Sequence, residues 1–239
     1  MALLSFTHHP SHFNDSAREV SLDTKPHRGP TVTDSLLTMQ AATPPVEVER
    51  EYLHRSSGRL GMWAFLMSDA VTFATLLVSS GLLRVWSHNW PAPATVLHLP
   101  VAGVMTGFLL ASSIAMAVSL TALKQGHQSR FRVALLFTII GGGVFLLLQT
   151  WEWSHLIRQG LTLANNPWGA QLFGASFYVL TGFHGCHVIA GIVYLTIILL
   201  RGLRGRYHSG NINPVAIAGL YWYFVDVSWL FIFFVVYVL

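Results

Sequence analysis

Residues 131–155 read FRVALLFTIIGGGVFLLLQTWEWSH, and within that stretch only Arg132 and Glu152 carry a formal charge. At a rise of about 1.5 Å per residue such a run is long enough to cross a hydrocarbon core of about 30 Å. Inside lipid the backbone must satisfy its own hydrogen bonds, and a single segment does that only as a helix. Four more stretches share this character, at 60–83, 98–123, 171–200 and 214–239. Turn chemistry separates them: Trp90-Pro91-Ala92-Pro93, Lys124-Gln125-Gly126-His127, Asn165-Asn166-Pro167 and Asn211-Ile212-Asn213-Pro214. The reading is an all-α, integral membrane bundle of five transmembrane helices with a flexible N-terminal tail and no internal repeat.

Composition agrees. Of 239 residues, 53% are hydrophobic and only 10% charged, against roughly a quarter charged in a soluble domain. The net charge of +4 does not point to nucleic acid, because the basic residues are scattered through short loops and form no single face. The lone cysteine, Cys186, falls in an apolar run and excludes a disulfide scaffold. The apolar patch Met1–Phe6 lacks a basic lead and the length of a signal-peptide core, so no cleavage is expected there. Residues 1–46 are mostly polar, rich in Ser, Thr, His and Pro without sustained periodicity, and are expected to be a disordered or partner-bound tail. Residues 47–239 form the membrane domain.

Basic residues in short loops stay on the cytoplasmic side. One side of the bundle receives Arg50, Arg55, Arg59, Lys124, Arg130, Arg132, Arg201, Arg204 and Arg206, whereas the other receives Arg84 and Arg158. Trp86, Trp90, Trp151, Trp153 and Trp168 gather on that second side as an interfacial aromatic belt. The N-terminus is therefore expected in the cytoplasm and the C-terminus outside. Small residues recur every fourth position at Gly103, Gly107, Ala111 and Ala115, and this stripe is read as packing within the bundle.

After Glu51 the only acidic residues are Asp69, Glu152 and Asp226, and each falls inside an apolar stretch. An intramembrane carboxyl group is costly, so it faces a partner, a water-filled cavity or an ion path. His184 and His187 lie one helical turn apart on the fourth stretch. Metal binding by that pair needs further ligands, and the other membrane-region histidines fall at or beyond helix ends. Hydrogen-bonded core histidines are the preferred reading. Depth counting sets His187 level with Asp226, which allows a polar seam between Asp226 and either His187 or His184, with Asp69 nearer the inner surface and Glu152 near the outer belt. Tyr223, Asp226 and Trp229 share a face of the fifth helix. A proton-coupled transporter using the three acids as a relay is the alternative from a different class.

With these residues assembled, the stretch from Arg59 to Leu239 resembles the subunit III family of haem-copper terminal oxidases. The motifs that carry the resemblance are Gly61-Met62-Trp63-Ala64-Phe65-Leu66-Met67-Ser68-Asp69, Gln149-Thr150-Trp151-Glu152-Trp153, Thr181-Gly182-Phe183-His184-Gly185-Cys186-His187-Val188, and Tyr221-Trp222-Tyr223-Phe224-Val225-Asp226-Val227-Ser228-Trp229-Leu230-Phe231. Tyr223 stands where the family usually has His. Five helices and Asp69 are similar to the short quinol oxidase form, and the last motif is similar to cytochrome c oxidases, so both electron donors stay open. The resemblance implies an accessory, non-catalytic subunit of a bacterial inner-membrane oxidase. It would carry no cofactor itself, lie beside subunit I with its haem and copper, and have subunit II and bound phospholipid as further partners. It also implies candidates for proton-uptake support or helix packing in Asp69, Glu152, His184, His187 and Asp226. Arg59, Trp63, Trp222, Tyr223 and Trp229 are the implied lipid or interface candidates.

Overall fold

A computed structural model describes residues 46–208 and 210–239. The expectation of a disordered tail at 1–46 lies outside them save for its last residue, where the first helix begins. That helix, α1, runs Val46–Trp86, followed by a single turn α2 at Pro93–Val96, then α3 at Leu99–Lys124, α4 at Gln128–Arg158, α5 at Gln171–Leu203 and α6 at Asn213–Phe233, which continues as a π-helical turn at Phe234–Val238. Five of these helices contain apolar spans long enough to cross a membrane, at Ser57–Trp86, Leu99–Lys124, Gln128–Arg158, Gln171–Leu203 and Asn213–Val238. The membrane spans agree with the sequence reading to within a few residues. The visible departure is the start of α1 at Val46, ahead of the expected 60. The added segment, VEVEREYLHRSSGR, is polar enough to escape an apolar window, yet its Glu, Arg and Leu residues favour helix.

The helix ends follow from backbone chemistry. Pro93, Pro100 and Pro214 occupy first turns, where their missing N–H costs nothing. Helices α3, α4 and α5 all stop at a glycine with positive φ, namely Gly126 (79°), Gly160 (94°) and Gly205 (71°). At each, the glycine N–H bonds a carbonyl three residues back and the next N–H bonds one five back, as in Gly126 to Leu123 at 3.1 Å and His127 to Ala122 at 2.9 Å. This paired closure satisfies carbonyls that would otherwise face lipid headgroups unpaired.

Neighbouring helices α3, α4, α5 and α6 close a ring, with α3 also touching α6. Helix α1 lies against α5 and α6 through long side chains: Phe65 stacks near Tyr221 at 6.3 Å between ring centroids, and Phe73 meets Phe183 at 4.9 Å and Phe224 at 6.1 Å. The core of the ring is Trp222, fully buried on α6. Its indole is held between two glycines, since a Cβ on Gly142 of α4 would come within 2.5 Å of the ring and one on Gly191 of α5 within 2.9 Å. Gly191→Leu is therefore expected to displace Trp222 and cost about 1–3 kcal/mol, read as a lower Tm of the purified chain; an unchanged Tm would contradict this packing.

The small-residue stripe of α3 does not serve packing inside this chain, contrary to the sequence reading. Gly103, Gly107 and Ala111 face outward, and a Cβ on either glycine would meet nothing within 4 Å. The reason is the rotation of α3, which is set by Thr106, Ser112 and Ser113 turning inward to serve polar groups on α6.

Candidate functional site

Three buried carboxyl groups each have a partner on another element. Asp69 of α1, 8% exposed, places Oδ2 3.1 Å from Nε2 of His187 on α5. The other imidazole nitrogen, Nδ1, lies 2.8 Å from the Phe183 carbonyl oxygen one turn back. A carbonyl only accepts, so Nδ1 carries a proton there. With one further proton between Nε2 and Oδ2 the pair is net neutral, whether as acid and imidazole or as carboxylate and imidazolium. Neutrality lowers the cost of a polar pair in hydrocarbon. Tyr221 braces the same turn, donating to the His187 carbonyl at 3.0 Å, and Phe73 lies 5.2 Å from the His187 ring.

This arrangement corrects two expectations. His187 pairs with Asp69 and not with Asp226, because equal depth on neighbouring helices says nothing about the direction each residue faces. Asp69 also lies deeper than that count gives: His187 stands midway along Gln171–Leu203, so its partner lies midway along the apolar span Ser57–Trp86. The depth count failed because α1 has no break at 60 from which to measure.

Asp226, 5% exposed on α6, accepts a hydrogen bond from the Ser113 hydroxyl of α3. Glu152, fully buried on α4, accepts from the Tyr237 hydroxyl at 2.7 Å. Tyr237 reaches it from the π-helical turn at the C-terminus. Neither Ser113 nor Tyr237 was singled out from sequence; the signal for the first is a Ser-Ser pair inside an apolar run, and for the second nothing short of the π turn reveals it. Tyr237→Phe leaves one buried carboxyl oxygen unsatisfied and is expected to cost about 1–3 kcal/mol. A Tm equal to that of the unaltered chain would remove Tyr237 from this role.

His184 and His187 do not converge. His187 turns to α1, whereas His184 turns inward, fully buried, with its ring 5.5 Å from Phe145 and 5.1 Å from Trp229. Among the described residues no group of three or more His, Cys, Asp or Glu side chains is placed to hold a metal ion. Of the lipid or interface candidates, Trp63 is 50% exposed and Arg59 is also exposed, both on α1, and Tyr223 is half-buried. Trp222 and Trp229 are inside the bundle and cannot meet lipid: their indole N–H groups donate to Ser112 Oγ at 3.0 Å and Thr106 Oγ1 at 2.9 Å. Periodicity cannot distinguish the two settings, because in a membrane protein both faces of a helix are apolar.

Comparison with known proteins places these features in a family. Residues 51–239 match the family described as cytochrome c oxidase subunit III. The chain is 32% identical over 203 residues to the cytochrome c oxidase subunit 3 of Thermostichus vulcanus, covering 84% of this chain and 97% of that protein. It is 30% identical over 195 residues to cytochrome c oxidase subunit 3 of Alkalihalophilus pseudofirmus, covering 82% and 93%. It is 29% identical over 182 residues to a probable quinol oxidase subunit 3 of Staphylococcus saprophyticus, covering 76% and 88%.

Proposed function

The chain belongs to the cytochrome c oxidase subunit III family, and from that premise we propose that it works as the accessory, cofactor-free subunit of a respiratory haem-copper oxidase. The observation that carries this reading is the family match across residues 51–239. It is a multi-pass membrane protein whose five spans are tied together by buried polar pairs. The relatives named above are oxidase subunits, and they give the transporter alternative no support.

In this reading subunit I holds the haem and copper, and this chain packs beside it with subunit II and phospholipid in the bacterial inner membrane. Oxygen reduction needs metal centres, and His184 and His187, which face different neighbours, do not form a ligand pair for one. Asp69 and His187 contribute by holding α1 to the bundle at mid-membrane and by keeping a shared proton there, which supports sustained proton uptake by the catalytic subunit. Glu152, His184 and Asp226 serve helix packing, and the exposed Arg59 and Trp63 meet lipid headgroups or a partner. Affinity purification of the tagged chain tests the assembly: a haem-containing partner with a reduced-minus-oxidised difference spectrum should travel with it. A chain that runs alone would sink the proposal.

The orientation proposed, with the N-terminus in the cytoplasm, rests on the Lys and Arg distribution. With Cys186 replaced by Ser, an impermeant thiol reagent added outside should label Ser87→Cys and spare Gln125→Cys. The reverse pattern would invert the topology.

A further inference from the structure

Between α3 and α4 a groove of about 760 Å³ opens outward. Phe108, Ala111, Ala115 and Val118 of α3 form one wall, and Val133 and Phe137 of α4 form the other. The lining is apolar except for Ser112, whose hydroxyl is engaged by the Leu109 carbonyl and the Trp222 indole, and for Ser129 and Arg130 at one end. From Arg130 to Ile140 the groove follows α4 for about 15 Å at the helical rise, half of a hydrocarbon core of about 30 Å. It is one leaflet deep. Spread over that length the volume leaves a cross-section of about 50 Å², less than that of a helix about 10–12 Å across. An extended hydrocarbon chain fits where a second helix does not.

At the Arg130 end the chemistry changes sign. Arg130 is exposed, as is Lys124 across the turn, and no carboxylate of residues 57–239 pairs with either, since Asp69, Glu152 and Asp226 are buried and engaged elsewhere. Helix α4 starts here with no side-chain cap and no acidic residue in its first turn, so its leading N–H groups add to the positive field. Apolar walls with a positive mouth match a molecule that has a hydrocarbon tail and a negative head. The planar fork of an arginine suits phosphate oxygens.

We propose that an anionic phospholipid seats in this groove, with its phosphate on Arg130 and Ser129 and one acyl chain between α3 and α4. A head of net negative charge is preferred to a zwitterionic one, because the cations at the mouth have no counter-charge from the chain itself. This gives the phospholipid of the proposed function a defined place. It rests on the membrane-spanning fold and not on the oxidase assembly, so the affinity purification above and the experiment below can fail separately.

The experiment uses phosphatidylglycerol and phosphatidylcholine, each carrying a diazirine in one acyl chain, added to the complex with which the tagged full chain purifies. Cross-linked peptides are mapped by mass spectrometry. Labelling within 108–118 and 133–140, the two walls, should be several-fold stronger with phosphatidylglycerol, and plain phosphatidylglycerol should compete for it while plain phosphatidylcholine does not. Arg130→Gln should bring the phosphatidylglycerol signal down to that of phosphatidylcholine, and Ala115→Phe, which fills the groove, should remove both. Equal labelling by the two lipids in the unaltered complex, or an undiminished phosphatidylglycerol signal in Arg130→Gln, would overturn the proposal. So would unlabelled walls in the unaltered complex, the result expected when a partner subunit covers the groove.

Discussion

Replacing His187 by Leu is expected to lower the stability of the chain by on the order of 3 kcal/mol, through a stranded Asp69 at mid-membrane and lost packing on Phe73. The mechanism is specific. Asp69 Oδ2 and His187 Nε2 stand 3.1 Å apart, so removing the imidazole leaves a buried carboxyl group without its polar partner. Aromatic side chains such as Phe65 and Phe73 add to the attachment of α1 to α5 and α6. The double variant Asp69→Leu/His187→Leu removes both partners and strands nothing, so it should recover most of the loss. Thermal unfolding of the four proteins of the cycle checks this, with coupling well above the additive expectation as the anticipated result. Additive losses would mean that the pair is incidental.

The second large effect concerns function. Asp69→Asn keeps the size of the side chain and lets the amide donate to His187 Nε2, while abolishing the shared proton. Assembly and the first rounds of oxygen reduction are expected to survive. If the pair supports proton supply, activity should then decline several-fold faster over successive turnovers than in the unaltered enzyme, measured as oxygen consumption at fixed haem content. Decline at the unaltered rate would confine Asp69 to holding α1.

Most of the architecture was written in the sequence, because hydrocarbon imposes a length and a composition that soluble folds do not. The spans and the turns at Gly126 and Pro214 needed no structure to find. The candidate site was legible as a set of residues but not as a set of contacts. Asp69, His187 and Asp226 all stood out as polar groups in apolar runs, yet which of them met depended on helix rotation, and the apolar residues around them leave that undetermined. The stripe of Gly103, Gly107 and Ala111 and the indoles of Trp222 and Trp229 were assigned to the wrong faces for the same reason. Ser113 is not legible in the sequence because a Ser or Thr hydroxyl in a membrane helix usually bonds its own backbone, as Thr72 does to the Ser68 carbonyl at 3.2 Å, and Tyr237 is not because only the π-helical turn brings it to Glu152.

The function proposed for this chain is to sustain an oxidase whose chemistry lies elsewhere. The direct measurement is oxygen consumption over successive turnovers by the enzyme with and without this subunit, each normalised to haem content. Equal haem content and comparable initial rates are expected, followed by faster loss of activity in the enzyme that lacks the chain. A fully haem-loaded enzyme that shows no initial activity without the chain would contradict it.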